Sequence, residues 1–456
     1  MKTLSFLLLS FFIAVNLWAQ KPEGDKEIIL DLATTLRLID ERNTDLAIAI
    51  EKIHQAEIAS KQAWYQWLPT VRAGFGYAEQ KGPLQFTDGT ISEIERTADS
   101  AGLGVAHTGS GIPAHPGVSL EVNLADAIYS PKVAKQNQRA AEADKEEARF
   151  LKMIEGVNAY YKLVLAAKSV ELHEEALSEA TALADTTSQF AKAGEGLEAD
   201  ADRAAVEQML RKYRLESARY QQIAASGHLA TLLKLPTYEV LNPDTATLVP
   251  LTIYQEKPAV EESVQLALKN RPAIEALAAR FEAKKLQTER EKRGVFIPKL
   301  GAGYSYGEFG KEGDFSSGIY EEREDTFVYL YWSLDNLGLG NQAALQLRES
   351  EARQLELRIQ QIEVNMSIKV QAAIAELETT RSQLDILREG LKRARNGYQL
   401  SRKRIFENQG LPLEVLDAFK SLAEIEMLYA RTIAKFNASQ LFLLGATGKE
   451  ISVKAN

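Results

Sequence analysis

Two small groups of charged residues are the candidates for chemistry in this sequence. Glu414 and Asp417 are three positions apart in a helical pattern that begins after Gly410, so both carboxylates project from one helix face. In the first half of the chain, Asp200 is at the position equivalent to Glu414 and is also acidic. Arg203 is at the position equivalent to Asp417 and has the opposite charge. Such groups could attract cations or pair with each other. They could equally be first-turn acids that complement the helix dipole, and the residues alone leave both interpretations open.

The rest of the sequence predicts no catalytic, cofactor or metal site. The histidines are scattered, and none forms a His-x-x-x-His pair. His107 and His115 share a glycine-rich loop and could touch a metal, but two ligands in a loop make a weak site. The glycine runs beside them lie in a predicted hairpin loop, which does not favour phosphate binding. The sequence therefore favours a protein that is not an enzyme.

Composition and the N-terminus limit the location and the partners. The chain has 456 residues, a formal net charge of −9 and no cysteine. The negative charge argues against nucleic acid as a partner, and the lack of cysteine removes disulfides and a lipidated N-terminal cysteine. Residues 1–19 combine Lys2, an apolar core and Ala19 at the expected cleavage point, which is typical of a signal peptide. A retained membrane anchor is the alternative.

The chain carries an internal duplication. In each half an amphipathic helix pattern ends at a proline, Pro69 or Pro298, and a strand rich in glycine and aromatic residues follows. Each half continues with a very long helical pattern and, after a tight turn at Gly196 or Gly410, a second long helix. A unit of this length exceeds any solenoid repeat. The duplication therefore predicts two copies of one large topology in one structure.

Four segments have the alternating pattern of β-strands. They are apolar on one face and small or polar on the other, and they lie at about 70–79, 117–126, 298–307 and 325–334. Their length and aromatic content fit outer-membrane strands, with hairpins on a soluble core as the alternative. Since about eight strands are the fewest that close a barrel and open edges are costly in lipid, four strands per chain predict an oligomer.

The loops and tryptophans around these strands suggest an orientation. Gln80 to Gly117 is polar and glycine-rich, and Gly307 to Asp325 is dense in acids, as expected at one rim of a barrel. Trp64 and Trp67 precede the first strand, where an aromatic belt at the opposite membrane interface would place them. Core aromatics at a helix end are an equal alternative.

Long helices dominate what remains. At 1.5 Å per residue the longest would span roughly 95 Å, so they must pack side by side as coiled coils. The long helices are predicted at about 131–193, 197–235, 341–406 and 411–444. The first repeat spans 20–235 and the second spans 261–446. A proline-rich linker at 236–260 separates them, and a C-terminal tail follows at 447–456.

With these features in fixed order, the sequence resembles the TolC-like outer membrane efflux protein family. The resemblance covers essentially all of the mature chain and is carried by the duplication, by Leu68-Pro69 and Ile297-Pro298 before their strands, and by Gly410 to Ala418. It implies a mixed α and β membrane protein. The resemblance implies that three copies of the chain form a homotrimer. Each chain would supply four strands to one twelve-stranded β-barrel, and a long α-helical coiled-coil barrel would continue from it. The linker and chain ends would form a belt around the helices.

The resemblance also implies a function. The chain would be a passive exit duct in the outer membrane of a Gram-negative bacterium, serving a tripartite efflux or type I secretion system without a cofactor. Its partners would be a periplasmic adaptor protein, an inner-membrane transporter and outer-membrane lipid. An exported structural coiled-coil protein of the periplasm is the alternative from another class.

Finally, the resemblance assigns roles to the turns between the long helices. Glu414, Asp417, Asp200 and Arg203 would line a periplasmic gate. By trimer symmetry the first two would form rings of carboxylates, which attract cations. The tips that dock on the adaptor would be Gly196, Leu197, Gly410 and Leu411.

Overall fold

A computed structural model describes most of the chain. The described residues are 29–68, 73–103, 117–194, 196–236, 240–243, 248–310, 320–406 and 412–451. The predicted signal peptide, residues 1–19, lies outside them.

The first repeat runs from short helices through strands to two long helices. Its elements are β1 (Ile29–Leu30), α1 (Leu32–Arg42), α2 (Thr44–Tyr65), β2 (Ala73–Gln85), β3 (Ile91–Leu103), β4 (Gly117–Asn123), α3 (Leu124–Ala193) and α4 (Glu198–Leu233).

The linker contains β5 (Asn242–Pro243), which pairs in parallel with β1. The second repeat then has the elements α5 (Val260–Asn270), α6 (Pro272–Gly294), β6 (Lys299–Gly310), β7 (Tyr320–Tyr331), a turn (Asp335–Gly338), α7 (Leu339–Phe406) and α8 (Pro412–Ala446). Within the described parts of the chain, every helix is too short or too polar to serve as a membrane span.

Local capping explains where several helices begin. The side chain of Asn43 accepts a hydrogen bond from the Asp45 amide, so α2 starts directly after α1. At the equivalent junction of the second repeat, Pro272 occupies the first position of α6, which suits its fixed φ. The side chain of Asn123 accepts hydrogen bonds from the amides of Ala125 and Asp126. For this reason α3 begins before the predicted residue 131 and continues through Pro131.

The strands correct the predicted sheet in two ways. The structure describes five long strands rather than four, because the predicted loop Gln80 to Gly117 contains the end of β2 and all of β3. β2 pairs with β3 in an antiparallel hairpin along its whole length, and β4 pairs with β6 of the second repeat instead. The sequence analysis missed β3 because it relied on an apolar face, which β3 lacks. The main-chain hydrogen bonds of an antiparallel pair do not require such a face; they require only a partner strand and a tight turn. Gly89, with φ of 86°, provides that turn.

The remaining strands also differ from the predicted bounds. β4 ends at Asn123, where α3 begins, and not at the predicted residue 126. β7 spans Tyr320–Tyr331 and not the predicted 325–334. β7 pairs with β6 in antiparallel register, so the described sheets have the orders β1-β5, β2-β3 and β4-β6-β7.

The long helices form two hairpins, and each has its own core. α3 packs on α4, and α7 packs on α8, while α6 lies against both α3 and α7. Ile39, Leu163 and Leu229 are fully buried in the first core, and Val370 and Leu377 in the second. Gly156 is the point where α1 crosses α3, because a Cβ there would overlap the Cδ1 atom of Ile39.

Two buried amides attach the linker to α8. Asn437 accepts a hydrogen bond from the Leu251 amide and donates one to the Val249 carbonyl, both at 2.8 Å. The side chain of Gln440 accepts hydrogen bonds from the amides of Ile253 and Tyr254 and donates one to the Leu251 carbonyl. Both side chains are 0 % exposed. The irregular linker thus gains the hydrogen bonds that a strand partner would otherwise supply.

Candidate functional site

The turn between α3 and α4 is built by glycines. Gly194 ends α3 in the left-handed conformation, with φ of 76°, which glycine adopts without strain. The Gly196 amide donates to the Phe190 carbonyl at 3.1 Å, closing the last turn of the helix. Leu197 precedes α4 without a side-chain cap and is 69 % exposed. This turn therefore presents an apolar side chain at its tip.

The first two turns of α4 carry two predicted gate residues, Asp200 and Arg203. Arg203 Nη1 lies 3.5 Å from Asp200 Oδ1, and both side chains are largely exposed. Arg203 therefore pairs with an acid of its own helix, one of the pairings that the sequence left open. Exposed pairs of this kind contribute only about 0–1 kcal/mol. Asp200, together with Glu198, also lies where an acid complements the helix dipole.

The start of α8 carries the other two predicted gate residues, Glu414 and Asp417. Gly410 and Leu411 lie outside the described residues. Glu414 Oε2 is 3.3 Å from Arg404 Nη1, so an ion pair joins the end of α7 to the start of α8. Asp417 is exposed. The structure thus gives the two acids different surroundings.

A layer of contacts beyond these turns connects the two hairpins, and sequence analysis did not find it. Glu207 on α4 accepts a hydrogen bond from Arg211 Nε at 2.8 Å, and its other oxygen is 3.5 Å from Lys420 Nζ on α8. Arg402 on α7 reaches Glu179 on α3 at 3.7 Å. The contacts made by Lys420 and Arg402 each cross from one repeat to the other.

An aromatic pair reinforces this layer. The rings of Tyr398 on α7 and Phe419 on α8 meet edge to face at 5.3 Å, and the Arg211 guanidinium lies 6.0 Å from the centre of the Phe419 ring. The i, i+4 spacing of Glu207 and Arg211 was a signal for their pairing. Their burial, with side chains 11 % and 4 % exposed, depends on α8 and has no local signal.

Burial changes the ionisation of groups in this layer. Burial, with the nearby charges of Arg211 and Arg214, lowers the pKa of His173 below its ordinary value of 6.5. Burial and the neighbouring carboxylate of Glu179 raise the pKa of the Tyr398 hydroxyl. Both groups are therefore neutral at physiological pH.

The predicted interface aromatics lie on the surface of the chain. Trp64 is 62 % exposed and Trp67 is 45 % exposed, so neither is a core aromatic of the single chain. Phe296 and Trp332 lie at the corresponding ends of α6 and β7, and the Trp332 indole donates to the Phe296 carbonyl. Both are exposed as well. Each repeat thus places large aromatics where helices meet strands.

The described residues contain no cluster of three or more metal-ligating side chains. His107 and His115, the weak metal candidates of the sequence, lie outside the described residues.

Comparison with known proteins identifies what the chain resembles. Residues 263–448 match the family model for outer membrane efflux proteins. A comparison with curated proteins returns no match at the level of sequence.

Solved structures share the fold over nearly the whole chain. The outer-membrane channel OprN is 18 % identical, with a TM-score of 0.75 over 92 % of this chain and 91 % of that one. The CmeC outer membrane channel of Campylobacter jejuni is 15 % identical, with a TM-score of 0.76 over 91 % and 85 % of the two chains. The MtrE outer membrane channel of Neisseria gonorrhoeae, in its open state, is 18 % identical, with a TM-score of 0.67 over 92 % and 89 %. The resemblance to TolC-like outer membrane efflux proteins is thereby confirmed.

Proposed function

We propose that this chain, which has the fold of outer-membrane efflux channels, is a subunit of the passive exit duct of a tripartite efflux or type I secretion system. The observation that supports this best is the family match over the second repeat, combined with a shared fold over 92 % of the chain. The protein acts in the outer membrane of a Gram-negative bacterium, with its long helices in the periplasm. An inner-membrane transporter supplies the energy for export.

The assembled form in this proposal is a homotrimer. β2, β4, β6 and β7 adjoin α2, α3, α6 and α7 respectively, so we assign these four strands per chain to a twelve-stranded barrel. β3 is inserted in the connection between β2 and β4. The β2-β3 and β4-β6-β7 sheets have open edges in a single chain, and open edges are too costly in lipid. Neighbouring copies would pair them.

The periplasmic part of the duct is a barrel of the two helical hairpins. With 70 residues, α3 alone is about 105 Å long at 1.5 Å per residue. Its far end carries the proposed gate, formed by Glu414, Asp417, Asp200 and Arg203. The tips Gly196, Leu197, Gly410 and Leu411 dock on the periplasmic adaptor, and Leu197 is already exposed for such a contact. Trp64 and Trp67 face the lipid interface.

The orientation can be tested with single cysteines, because the chain has none of its own. Thr87→Cys lies in the exposed β2–β3 turn beside Asp88, whose side chain must be kept because it accepts hydrogen bonds from Thr90. An impermeant maleimide added to intact cells should label this variant. Asp202→Cys, exposed near the periplasmic tip, is the matched control and should react only after lysis. Labelling of both variants only after lysis would contradict the orientation.

The assembly can be tested on purified protein. We expect extraction to require detergent and the extracted protein to be a trimer that dissociates slowly without heating, as measured by native mass spectrometry. A protein that is released by buffer alone would instead be the exported structural coiled-coil protein. A stable monomer that retains its strands would contradict the shared barrel.

A further inference from the structure

The last turns of α6 pack against two neighbouring helices along one side only. Arg290 pairs with Asp126 of α3 at 2.7 Å, and Glu291 lies 4.0 Å from Arg348 of α7. Gly294 also lies against α3. Residues 290, 291 and 294 share one face of the helix, because residues three and four positions apart are neighbours on a helix surface. The opposite face of α6 therefore points away from both helices.

That outward face ends in two basic residues and an aromatic ring. Lys292 is exposed, and the side chain of Arg293 is 68 % exposed. The Phe296 amide donates a hydrogen bond to the Arg293 carbonyl at 3.0 Å, so the helical turn continues beyond the end of α6. Phe296, which is 80 % exposed, thus lies one turn beyond the two basic side chains on the same face.

Trp332, directly after β7, adds a second aromatic side chain. Its indole donates a hydrogen bond to the Phe296 carbonyl at 3.2 Å, and the residue is 59 % exposed. Since this hydrogen bond uses the only donor of the indole, the exposed part of the ring is apolar. Neighbouring exposed side chains of this size mark an interaction surface. We call Lys292, Arg293, Phe296 and Trp332 the α6 patch.

The position of the α6 patch indicates what covers it. α6 lies between α3 and α7, so it is not one of the edge helices through which copies of the chain would meet. β6 begins at Lys299, three residues after Phe296, and in the proposed duct this strand enters the membrane. The patch therefore lies at the periplasmic boundary of the bilayer. Lipid there would bury the two rings, whereas the water of the duct would leave them exposed.

The charge of the outward face favours one kind of lipid. Glu282 pairs with Lys285, and Glu289 pairs with Arg293, so Lys292 adds a further positive charge at the end nearest the strands. Exposed ion pairs of this kind are weak, which leaves Arg293 able to turn towards a phosphate. Basic residues at a bilayer surface attract anionic lipids. The patch thus combines a cationic part with an apolar part, in the order of a lipid head group and its acyl chains.

We propose that the α6 patch binds one anionic phospholipid of the periplasmic leaflet in each chain. Lys292 and Arg293 hold the head-group phosphate, and the rings of Phe296 and Trp332 pack against the glycerol backbone and the upper acyl chains. This inference rests on the proposed function, which places the patch at the bilayer. It adds the class of lipid and the residues that select it.

The test is native mass spectrometry of the purified full-length protein in detergent, with phosphatidylglycerol or phosphatidylcholine of the same acyl chains added. We expect phosphatidylglycerol to bind at one site per chain and about tenfold more tightly than the zwitterionic lipid. Lys292→Gln with Arg293→Gln should remove this preference, because each basic residue strengthens the binding of an anionic head group by roughly fivefold. Phe296→Ser should weaken the binding of both lipids and leave the preference in place.

Lys285→Gln with Arg388→Gln is the matched control, because it removes two exposed positive charges outside the patch and should keep the preference. If Lys292 and Arg293 only complement the dipole of α6, their double variant melts at a lower temperature but still prefers phosphatidylglycerol, and this result overturns the proposal. A protein that requires detergent but shows no preference overturns the lipid site and leaves the exit duct standing. Release of the protein by buffer alone contradicts both, so the two failures are distinguishable.

Discussion

The guanidinium of Arg271 lies over the ring of Phe150, with its central carbon 4.3 Å from the ring centre. The same guanidinium is ion-paired with Glu147, and the two charged side chains are only 9 % and 16 % exposed. Arg271 is the residue between α5 and α6, whereas Phe150 and Glu147 are on α3. A single side chain therefore connects the two repeats through a stacked and an ionic contact.

Removing Arg271 should reveal the cost of an unpaired buried charge. We expect Arg271→Ala to lower the free energy of unfolding by about 3–5 kcal/mol, because Glu147 then stays buried without its partner. The double variant Arg271→Met with Glu147→Leu should recover most of this loss, since apolar replacement of a buried pair is often neutral. Chemical denaturation in detergent measures both. A double variant as unstable as the single one would contradict this explanation.

The buried amide of Gln440 should be essential for the linker. Gln440→Leu leaves the amides of Ile253 and Tyr254 and the carbonyl of Leu251 without their partner. We expect a loss of about 2–4 kcal/mol in the free energy of unfolding and faster proteolysis of residues 248–259. Ser439→Ala is the matched control, because Ser439 is also buried but bonds only within its own helix. Equal effects of the two substitutions would contradict the role of Gln440.

His173 should make stability depend on pH. Burial and the charges of Arg211 and Arg214 lower its pKa in the folded chain, so the folded state binds fewer protons than the unfolded state. This contribution to stability is complete above the ordinary pKa of 6.5 and is lost as the pH falls through the folded-state pKa. From about pH 7 to about pH 5, the melting temperature of the native protein should fall more than that of His173→Gln. Parallel curves would show that His173 does not contribute.

The proposed gate should respond to multivalent cations. In a trimer, Glu414 and Asp417 would crowd a narrow entrance, where each pair of like charges costs on the order of 1 kcal/mol or more. We expect small conductance in planar bilayers and block by divalent or trivalent cations from the periplasmic side. Glu414→Ala with Asp417→Ala should abolish the block and leave trimer stability nearly unchanged.

Other exposed acids provide the control for this measurement. Asp385→Ala with Glu389→Ala removes two exposed acids of α7 and should leave the cation block intact. If the block persists in the Glu414 and Asp417 variant, these residues form no gate, and Glu414 only complements the helix dipole as a first-turn acid, which is worth about 0.3–1 kcal/mol.

The sequence by itself determined the order of the long helices and of four of the five long strands, and it determined the resemblance to a family. Helical spacing of apolar residues, alternation in strands and glycines at turns are local signals, because each depends on residues a few positions apart. Gly196, for example, predicted the tight turn between α3 and α4, and the structure has that turn at the same place. The duplication needed only a comparison of one half of the chain with the other.

Only the tertiary structure decided which elements meet. β3 pairs with β2 although it lacks an apolar face, and β4 pairs with a strand of the other repeat. Glu207 is buried by α8, and Arg271 is buried against α3, yet neither residue differs in its local sequence from a solvated charge. The energy of these contacts depends on desolvation and on partners far away in the chain. No local pattern contains that information, so the layer between the hairpins became visible only in three dimensions.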